Sequence, residues 1–192
     1  MTTEGAITVG ERAATPVGRD EVVAATLEAA ADLFAARGPA ATSIRDVAAR
    51  AGVNHGLLHR HFGTKEQLVG AVLDYLGQQL AAALASAQAA EIDAAADRQL
   101  RVIARAILDG YPVGQLQTGF PNIGLLLSQL RDSHPTEESA RLAAAHLMAL
   151  QLGWRLFGDF LRASTGIDGI DDETLQHSIG EAAKRAGSPA GS

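Results

Sequence analysis

The sequence predicts an all-α protein in which an N-terminal three-helix domain of helix-turn-helix type is followed by a larger helical domain. Alanine, leucine, glutamate and arginine dominate the chain, and all four favour helix over strand. Apolar residues recur at helical spacing, and we find neither a strand signature nor an internal repeat. Glycines and helix-capping residues divide this pattern into separate helices.

The first two helices are predicted from an apolar stripe and from signals at their ends. The first helix begins near Asp20 and ends at Gly38, in the position of a C-cap glycine. A second, short helix follows Ser43. Asp46 lies three residues after Ser43, and this spacing is typical of a capping box at a helix N-terminus.

A third helix follows a tight glycine turn. Gly52 makes the turn, and Asn54 is a good N-cap for a short helix that reaches about His61. Two short helices joined in this way have helix-turn-helix spacing, although many short helical hairpins bind nothing. Thr64, with Gln67 three residues later, then caps a long helix.

The remainder of the chain is predicted to form the larger helical domain, with further helices over 92–109, 123–132, 136–164 and 172–186. The intervening segment 110–122 is rich in glycine and proline, so we expect a long loop there that is either mobile or functional. The predicted organisation is a flexible arm (1–19), the helix-turn-helix domain (20–66), the larger domain (67–186) and a disordered tail (187–192).

Composition favours a soluble cytoplasmic protein. The chain has no cysteine, which excludes disulfides, thiolate metal sites and cysteine nucleophiles. The first nineteen residues are polar and lack the basic start and apolar core of a signal peptide. The apolar stretches are broken by charge, and no uninterrupted one is long enough to span a bilayer. We therefore predict cytoplasmic localisation and no association with a membrane.

Charge is distributed unevenly along the chain. The net charge of the whole chain is −6, which taken alone argues against a nucleic-acid partner. Residues 40–65, however, hold three arginines and one lysine against a single acid, Asp46. The region of the short helices is therefore locally basic inside an acidic protein.

Three histidines lie close together in the stretch VNHGLLHRHF, residues 53–62. His55 and His59 are four residues apart and share a helix face, as a two-histidine metal site requires. His61 lies roughly 200° around the helix from His59. No Asp or Glu between residues 47 and 65 offers a third ligand. We therefore predict no metal site and no cofactor.

The same helix is better explained as a surface that binds DNA. Leu58 and Phe62 lie one turn apart and point to a core, which leaves the other faces to polar, basic and small residues. Arg60 and Lys65 can neutralise phosphates, and the Ser43 hydroxyl can bind phosphate as well. The alternative is a solvated basic face on a helical bundle, and the glycine turn and the lack of acids favour DNA.

Residues 24–73 resemble the N-terminal domain of the TetR family of bacterial transcriptional repressors. The family pattern has a helix ending in LF-x-x-x-G, then T-x-x-x-I/V-A-x-x-A-G-V, then a recognition helix ending in L-Y-x-H/Y-F, and then K-x-x-L. Beyond this part, the chain is similar to the family in helical character, in length and in a stretch LGWRLFGDFLRA. The matching positions are Leu33, Phe34, Gly38, Ser43, Val47, Ala48, Ala51, Gly52, Val53, Leu58, His61, Phe62, Lys65 and Leu68.

The resemblance implies a homodimeric, ligand-responsive transcriptional regulator, most often a repressor. It would place two recognition helices in successive major grooves of a palindromic operator on double-stranded DNA. A small-molecule effector bound by the C-terminal domain would release the DNA. Carried over position by position, the implied DNA contacts are Ser43, Arg45, Asn54, His55, Gly56, Leu57, His59, Arg60, His61 and Lys65.

The chain departs from the family pattern within the recognition helix. Leu57 stands where threonine is common, and it could touch a thymine methyl but not bond a phosphate. His59 stands where tyrosine is common, and it could hold a phosphate only as a donor. Protonated His55, His59 or His61 would be favoured beside phosphate. We therefore predict that DNA affinity rises as the pH falls from 8 to 6.

A ligand pocket and a dimer interface are predicted in the larger domain. The helix over 136–164 and the final helix are the candidates for the dimer bundle, as the family arrangement suggests, and Gly153 and Gly158 would allow close approach there. Large side chains could line a pocket for a small, largely apolar effector, although core and dimer packing would also explain them. The pocket candidates are Tyr111, Phe120, Leu126, Met148, Trp154, Phe157 and Phe160.

Two other functions fit the sequence less well. A helical small-molecule-binding protein with a decayed or non-specific DNA-binding module would explain Leu57 and His59, but the retained Arg45, Arg60 and Lys65 argue against it. An enzyme would need a nucleophile elbow, a phosphate loop, a metal cluster or paired carboxylates, and we find none. We therefore predict no enzymatic activity and no catalytic residues.

Overall fold

The chain folds into helices and their connections in the part that the structure describes, residues 18–86 and 88–188. In this computed structural model no strand occurs within those ranges, which confirms the all-α prediction. The predicted arm before residue 18 and the predicted tail after residue 188 lie outside the described residues. The helices of the described part are α1 (Arg19–Arg37), α2 (Ile44–Ala51), α3 (His55–Phe62), α4 (Lys65–Ser86), α5 (Ala89–Leu108), α6 (Val113–Leu116), α7 (Pro121–Arg131), α8 (Glu137–Thr165) and α9 (Asp172–Ala186).

The main hydrophobic core joins the first three helices to α4 and α5. Its largest members, Phe34, Leu58, Leu68 and Leu73, are each no more than 1% exposed. Helices as short as α2 and α3, with eight residues each, are not stable in isolation. Burial of Leu58 and its neighbours against α1 and α4 therefore holds the two short helices in place.

α4 leaves the helix-turn-helix and continues into the larger predicted domain, across the predicted boundary at residues 66 and 67. The Thr64 and Gln67 pair caps it as expected: the Thr64 amide donates to Gln67 Oε1 (2.8 Å), and the Gln67 amide donates to the Thr64 hydroxyl (3.3 Å). By length and composition alone α4 could cross a membrane. Its Leu68, Val72 and Leu76 are, however, no more than 1% exposed in the main core, and a core helix meets the same criterion.

Two polar contacts hold α5 against the helix-turn-helix. Arg98 pairs with Asp32 (2.8 Å) and Glu28 (2.9 Å), both on α1. At the C-terminal end of α5, Asp109 Oδ2 accepts the backbone N–H of Ala40 (2.7 Å) in the α1–α2 turn. Positions 98 and 109 are about three helical turns apart, so both contacts lie on one side of α5.

The segment predicted as one long loop is instead folded and anchored on α4. It contains the short helix α6 and the first residues of α7. Asp74 of α4 accepts the backbone N–H (2.9 Å) and the hydroxyl (2.7 Å) of Thr118. α6 also packs so closely on α4 that an added Cβ at Gly70 would lie 2.5 Å from the Leu116 carbonyl oxygen. The loop prediction was wrong because these contacts join residues far apart in the chain.

α7 and α8 form a second, smaller cluster. Leu130, Ala140, Ala143 and Ala144 are buried together there. α8 is 29 residues long and begins at Thr136, whose hydroxyl accepts the Ser139 backbone N–H (3.1 Å). Beyond this cluster, much of α8 is exposed in the single chain and packs mainly against α5 and α9.

Candidate nucleic-acid interface

The helix-turn-helix is built from two capped helices and one left-handed turn residue. Ser43 Oγ accepts the Asp46 backbone N–H (3.1 Å), and Asp46 Oδ2 accepts the Ser43 backbone N–H (2.9 Å), so the predicted capping box is confirmed. Gly52 adopts φ 67° and donates its N–H to the Ala48 and Ala49 carbonyls. This left-handed conformation favours glycine, and it ends α2 and redirects the chain into α3.

α3 turns a polar side away from the core. Asn54 Oδ1 accepts the Gly56 backbone N–H (2.8 Å) and caps the helix as predicted. Leu58 is 1% exposed and anchors the opposite side in the main core. Six predicted contact residues lie on the outward side. The exposed ones are His55, Gly56, His59 and Arg60, and the half-buried ones are Leu57 and His61.

Two basic side chains of this surface have no acidic partner. Arg37 and Arg50 are each paired with a carboxylate, at 2.9 and 2.8 Å. Within the described residues, the side chains of Arg45 and Arg60 form neither a hydrogen bond nor an ion pair. The pKa of Asp46 is lowered, chiefly by the capping hydrogen bond from the N-cap backbone and further by the nearby Arg37. The Asp46 carboxylate therefore stays ionised and is bonded by Ser43 and Arg37. Arg45 and Arg60 are available to bind an anion.

The His59 ring is held at the C-terminal end of α3. Its Nδ1 lies 2.7 Å from the Gly63 carbonyl oxygen. A carbonyl oxygen only accepts hydrogen bonds, so Nδ1 carries the proton, and Nε2 of the neutral ring has none to donate. Nε2 therefore becomes a phosphate donor only when the ring is protonated.

The remaining predicted contacts lie at the starts of α2 and α4. Ser43 and Arg45 are exposed beside the capping box of α2. Lys65, the first residue of α4, directs its Nζ toward the Ala40 carbonyl oxygen at 3.4 Å. Lys65 therefore lies beside the α1–α2 turn, which leads into the start of α2.

Arg19 is a residue that sequence reasoning missed. It was expected in a flexible arm, but it is the first residue of α1. It lines a cleft together with Arg60 and His61 of α3. Helix ends are the least certain part of a sequence-based assignment, and no local pattern indicates that the start of α1 lies beside α3.

The seven predicted pocket residues have different surroundings in the described part of the single chain. Tyr111 packs against the main core, Leu126 packs against the smaller cluster, and Trp154 lines a separate cleft. The pocket therefore stays a prediction. The other four side chains are exposed: Phe120 (47%), Met148 (37%), Phe157 (57%) and Phe160 (67%).

The cleft beside Trp154 lies between α5, α8 and α9, has a volume of about 330 Å³ and is largely polar. Arg155 of α8 bonds Asp93 of α5 (2.6 Å), and Arg162 bonds Asp172 of α9. Within residues 18–86 and 88–188, this cleft included, no three His, Asp or Glu side chains are grouped to hold a metal ion.

A capped helix, a glycine turn and a basic recognition helix, mounted on a larger helical unit, define a DNA-binding regulator of the helix-turn-helix class. The comparison with family models agrees. Residues 27–72 match the model described as "Bacterial regulatory proteins, tetR family".

Relatives that match most of the chain identify the family. The chain is 58% identical to the HTH-type transcriptional repressor Rv3405c of Mycobacterium tuberculosis (strain ATCC 25618 / H37Rv) over 176 residues, 91% of this chain and 94% of that protein. The HTH-type transcriptional regulator Mb3439c of Mycobacterium bovis matches to the same extent. The chain therefore belongs to the TetR family of bacterial transcriptional regulators. It is a DNA-binding regulator and not an enzyme.

Two solved structures are similar to the chain over most of its length. A TetR-family regulator (SCO0857) from Streptomyces coelicolor A3 is 25% identical, with a TM-score of 0.48, over 91% of this chain and 99% of that chain. A gamma-butyrolactone receptor (ArpA like protein) is 24% identical, with a TM-score of 0.46, over 88% of this chain and 97% of that chain.

Proposed function

We propose that this regulator is a ligand-responsive repressor that binds a palindromic operator as a homodimer in the cytoplasm and is released by a small effector. The observation that carries the proposal is the outward side of α3, which is free of acids and bears the unpaired Arg60; a second unpaired arginine, Arg45, lies on α2. A relative with 58% identity is itself named a transcriptional repressor.

The residues of α3 divide into two roles in this proposal. Arg60, together with Lys65, neutralises backbone phosphates, which gives affinity without sequence preference. His55 and Leu57 meet base edges, where Leu57 is suited to a thymine methyl. Gly56 has no side chain to project from α3, and a Cβ added there would contact only the capping atom Asn54 Oδ1, at 3.3 Å. α3 is thereby free to approach a groove closely.

An exposed apolar stripe on α8 supports the homodimer. Its members recur at spacings of seven, four, four and three residues, so they share one side of the helix. Large apolar side chains exposed in this way are typical of a surface that is covered by a second subunit. The stripe consists of Leu142 (54% exposed), Ala149, Gly153, Phe157 (57%) and Phe160 (67%).

The dimer interface is tested by the Phe157→Asp, Phe160→Asp double variant. Sedimentation velocity should give a dimer for the wild-type protein and a monomer for this variant. Leu108→Asp is the matched control, because Leu108 is 83% exposed but lies at the end of α5. A double variant that stays dimeric would move the interface elsewhere.

The cleft between α5, α8 and α9 supports an effector with hydrogen-bonding groups. Trp154 offers an aromatic wall, and polar side chains such as Gln151 and Asp159 line the rest. The Arg155 and Arg162 side chains are 26% and 19% exposed, whereas those of their partners Asp93 and Asp172 are 66% and 93% exposed. A more polar ligand than the largely apolar one predicted from the sequence fits this lining better.

The DNA-binding part is tested by selecting bound sequences from a random duplex pool at low salt. The wild-type protein should enrich a palindrome. The Arg60→Ala, Lys65→Ala variant should enrich nothing, because it loses two phosphate contacts in each subunit. The control variant Arg101→Ala, Arg141→Ala removes the same charge from exposed ion pairs far along the chain and should select the wild-type palindrome.

The same selection separates the two candidate functions. If the wild-type protein enriches no sequence at low salt, where phosphate contacts are strongest, the repressor proposal fails. The chain would then be a helical ligand-binding protein whose DNA-binding module has decayed. A palindrome that appears equally with the Arg60→Ala, Lys65→Ala variant would leave the operator proposal standing and refute the assignment of these two residues.

A further inference from the structure

A cleft lies between the first turn of α1 and the recognition helix. It has a volume of about 440 Å³ and opens to solvent. Val22, which is 4% exposed, and Leu57 provide its apolar surface. The two helices that form it are far apart in the sequence, so the cleft exists only because α1 and α3 pack on the same core.

The polar lining of this cleft is cationic. It consists of Arg19, Arg60 and His61, and no acidic residue of the described part of the chain lines it. Within the described residues neither guanidinium has a hydrogen bond or an ion pair. The acids that follow Arg19 at positions 20 and 21 lie in the same turn of α1, outside the lining. Two unpaired guanidiniums that face one opening are suited to an oxyanion, because each can donate two parallel hydrogen bonds.

We propose that this cleft binds one backbone phosphate of the operator and that Arg19 is a DNA-contact residue in addition to those of α2, α3 and α4. The inference rests on the proposed DNA complex. When a recognition helix enters the major groove, the phosphates along the groove edge come to lie beside its flanks. Arg60 is on α3 itself, so an anion that it shares with Arg19 has to belong to the DNA that α3 contacts.

This contact determines the position of α3 on the DNA, but it does not recognise the base sequence. A phosphate held from α1 on one side and from α3 on the other fixes the tilt of the recognition helix in the groove. Removing Arg19 should therefore weaken binding to operator and to unrelated duplex by a similar factor, and the selected palindrome should stay the same.

Salt dependence gives the first test, with Arg19→Gln as the variant. The logarithm of the binding constant, plotted against the logarithm of salt concentration, changes by about 0.9 in slope for each phosphate contact on B-DNA. Because Arg60 still faces the same phosphate, Arg19→Gln should lower the magnitude of the slope by at most about 0.9 per subunit. Arg19→Lys should keep most of the slope. Arg101→Gln on α5, an exposed arginine paired with Asp97, is the control for loss of one charge.

A second measurement assigns the phosphate. Single phosphates of the operator are replaced by neutral methylphosphonates. One position per half-site should weaken wild-type binding more than it weakens binding of Arg19→Gln, which keeps only Arg60 at that phosphate, whereas other phosphates should weaken both proteins alike. The two effects fail to add because the variant has already lost the Arg19 part of that contact.

The outcomes separate this inference from the proposed function. A reduced slope in Arg19→Gln, together with one non-additive phosphate, supports the cleft as a phosphate site. A wild-type protein that binds its operator, with Arg19→Gln and Arg101→Gln equal in slope, overturns the role of Arg19 and leaves the repressor proposal intact. Failure of the wild-type protein to bind any duplex overturns both.

Discussion

Replacing Gly70 with alanine tests the close approach of α4 and α6. Gly70 is buried within α4, and a Cβ there would lie 2.5 Å from the Leu116 carbonyl oxygen. Ordinary contact begins near 3.4 Å, so the two backbones must separate by about 0.9 Å (3.4 minus 2.5). No flexible side chain can absorb this change, because the atom that is met belongs to the backbone of α6.

Gly77 provides the matched control on the same helix. It is also buried in α4, but a Cβ there would meet Gln99 Nε2 at 3.5 Å and Pro121 Cδ at 3.6 Å, which are ordinary contacts. In a helix interior, alanine stabilises by roughly 0.5–1 kcal/mol relative to glycine. Overpacking at Gly70 costs about 1–3 kcal/mol. Because the helix gain is common to both variants, their difference isolates the cost of the contact.

Thermal unfolding followed by circular dichroism measures this difference, at one fixed protein concentration for all variants. For a chain of this size, 1 kcal/mol corresponds to about 2–4 °C in Tm. Gly77→Ala should therefore raise Tm by about 1–4 °C, and Gly70→Ala should melt about 2–12 °C below Gly77→Ala. If the two variants are equally stable, α6 does not pack on α4 as described and the reasoning fails.

Three further predictions concern capping and protonation. Ser43→Ala removes the α2 cap and should lower stability by about 1 kcal/mol, whereas Ser43→Thr, which keeps the hydroxyl, should not; thermal unfolding distinguishes them. Burial and the hydrogen bond to Glu28 (2.6 Å) raise the pKa of Tyr75 from 10.0 to about 12. The resulting stabilisation is fully present below pH 10 and is lost as the pH rises from about 10 to about 12. The free energy of unfolding, measured at pH 9 and 11, should lack this loss in Tyr75→Phe. DNA affinity should rise from pH 8 to 6 at fixed salt, and His59→Gln should flatten the profile; an unchanged slope in the variant would exclude His59 as its source.

Local signals in the sequence predicted the elements around the interface well. The Ser43 and Asp46 capping box, the Asn54 cap and the turn at Gly52 are all present, because each depends on residues within a few positions of one another. The buried position of Leu58 followed from helical spacing alone.

The features that sequence reasoning missed depend on contacts between distant residues. The bond between Thr118 and Asp74 spans 44 positions, and nothing near Thr118 indicates that its loop is anchored. Arg19 lies beside α3 only through packing of the whole core. Phe157 and Phe160 illustrate the same limit: their spacing places them on one helix side, but a single chain's periodicity does not reveal which surface covers that side.

The two contacts between α5 and the helix-turn-helix bear differently on attempts to exchange domains between family members. Asp109 accepts a hydrogen bond from a backbone N–H, that of Ala40. Any grafted helix-turn-helix domain with the same turn would therefore present this N–H. Arg98 needs carboxylates at positions 28 and 32, and a graft without them would leave its charge, on a side chain that is only 26% exposed, with no counter-charge. A chimera whose grafted helix-turn-helix domain lacks carboxylates at positions 28 and 32 should therefore recover its operator binding when Arg98 is changed to methionine.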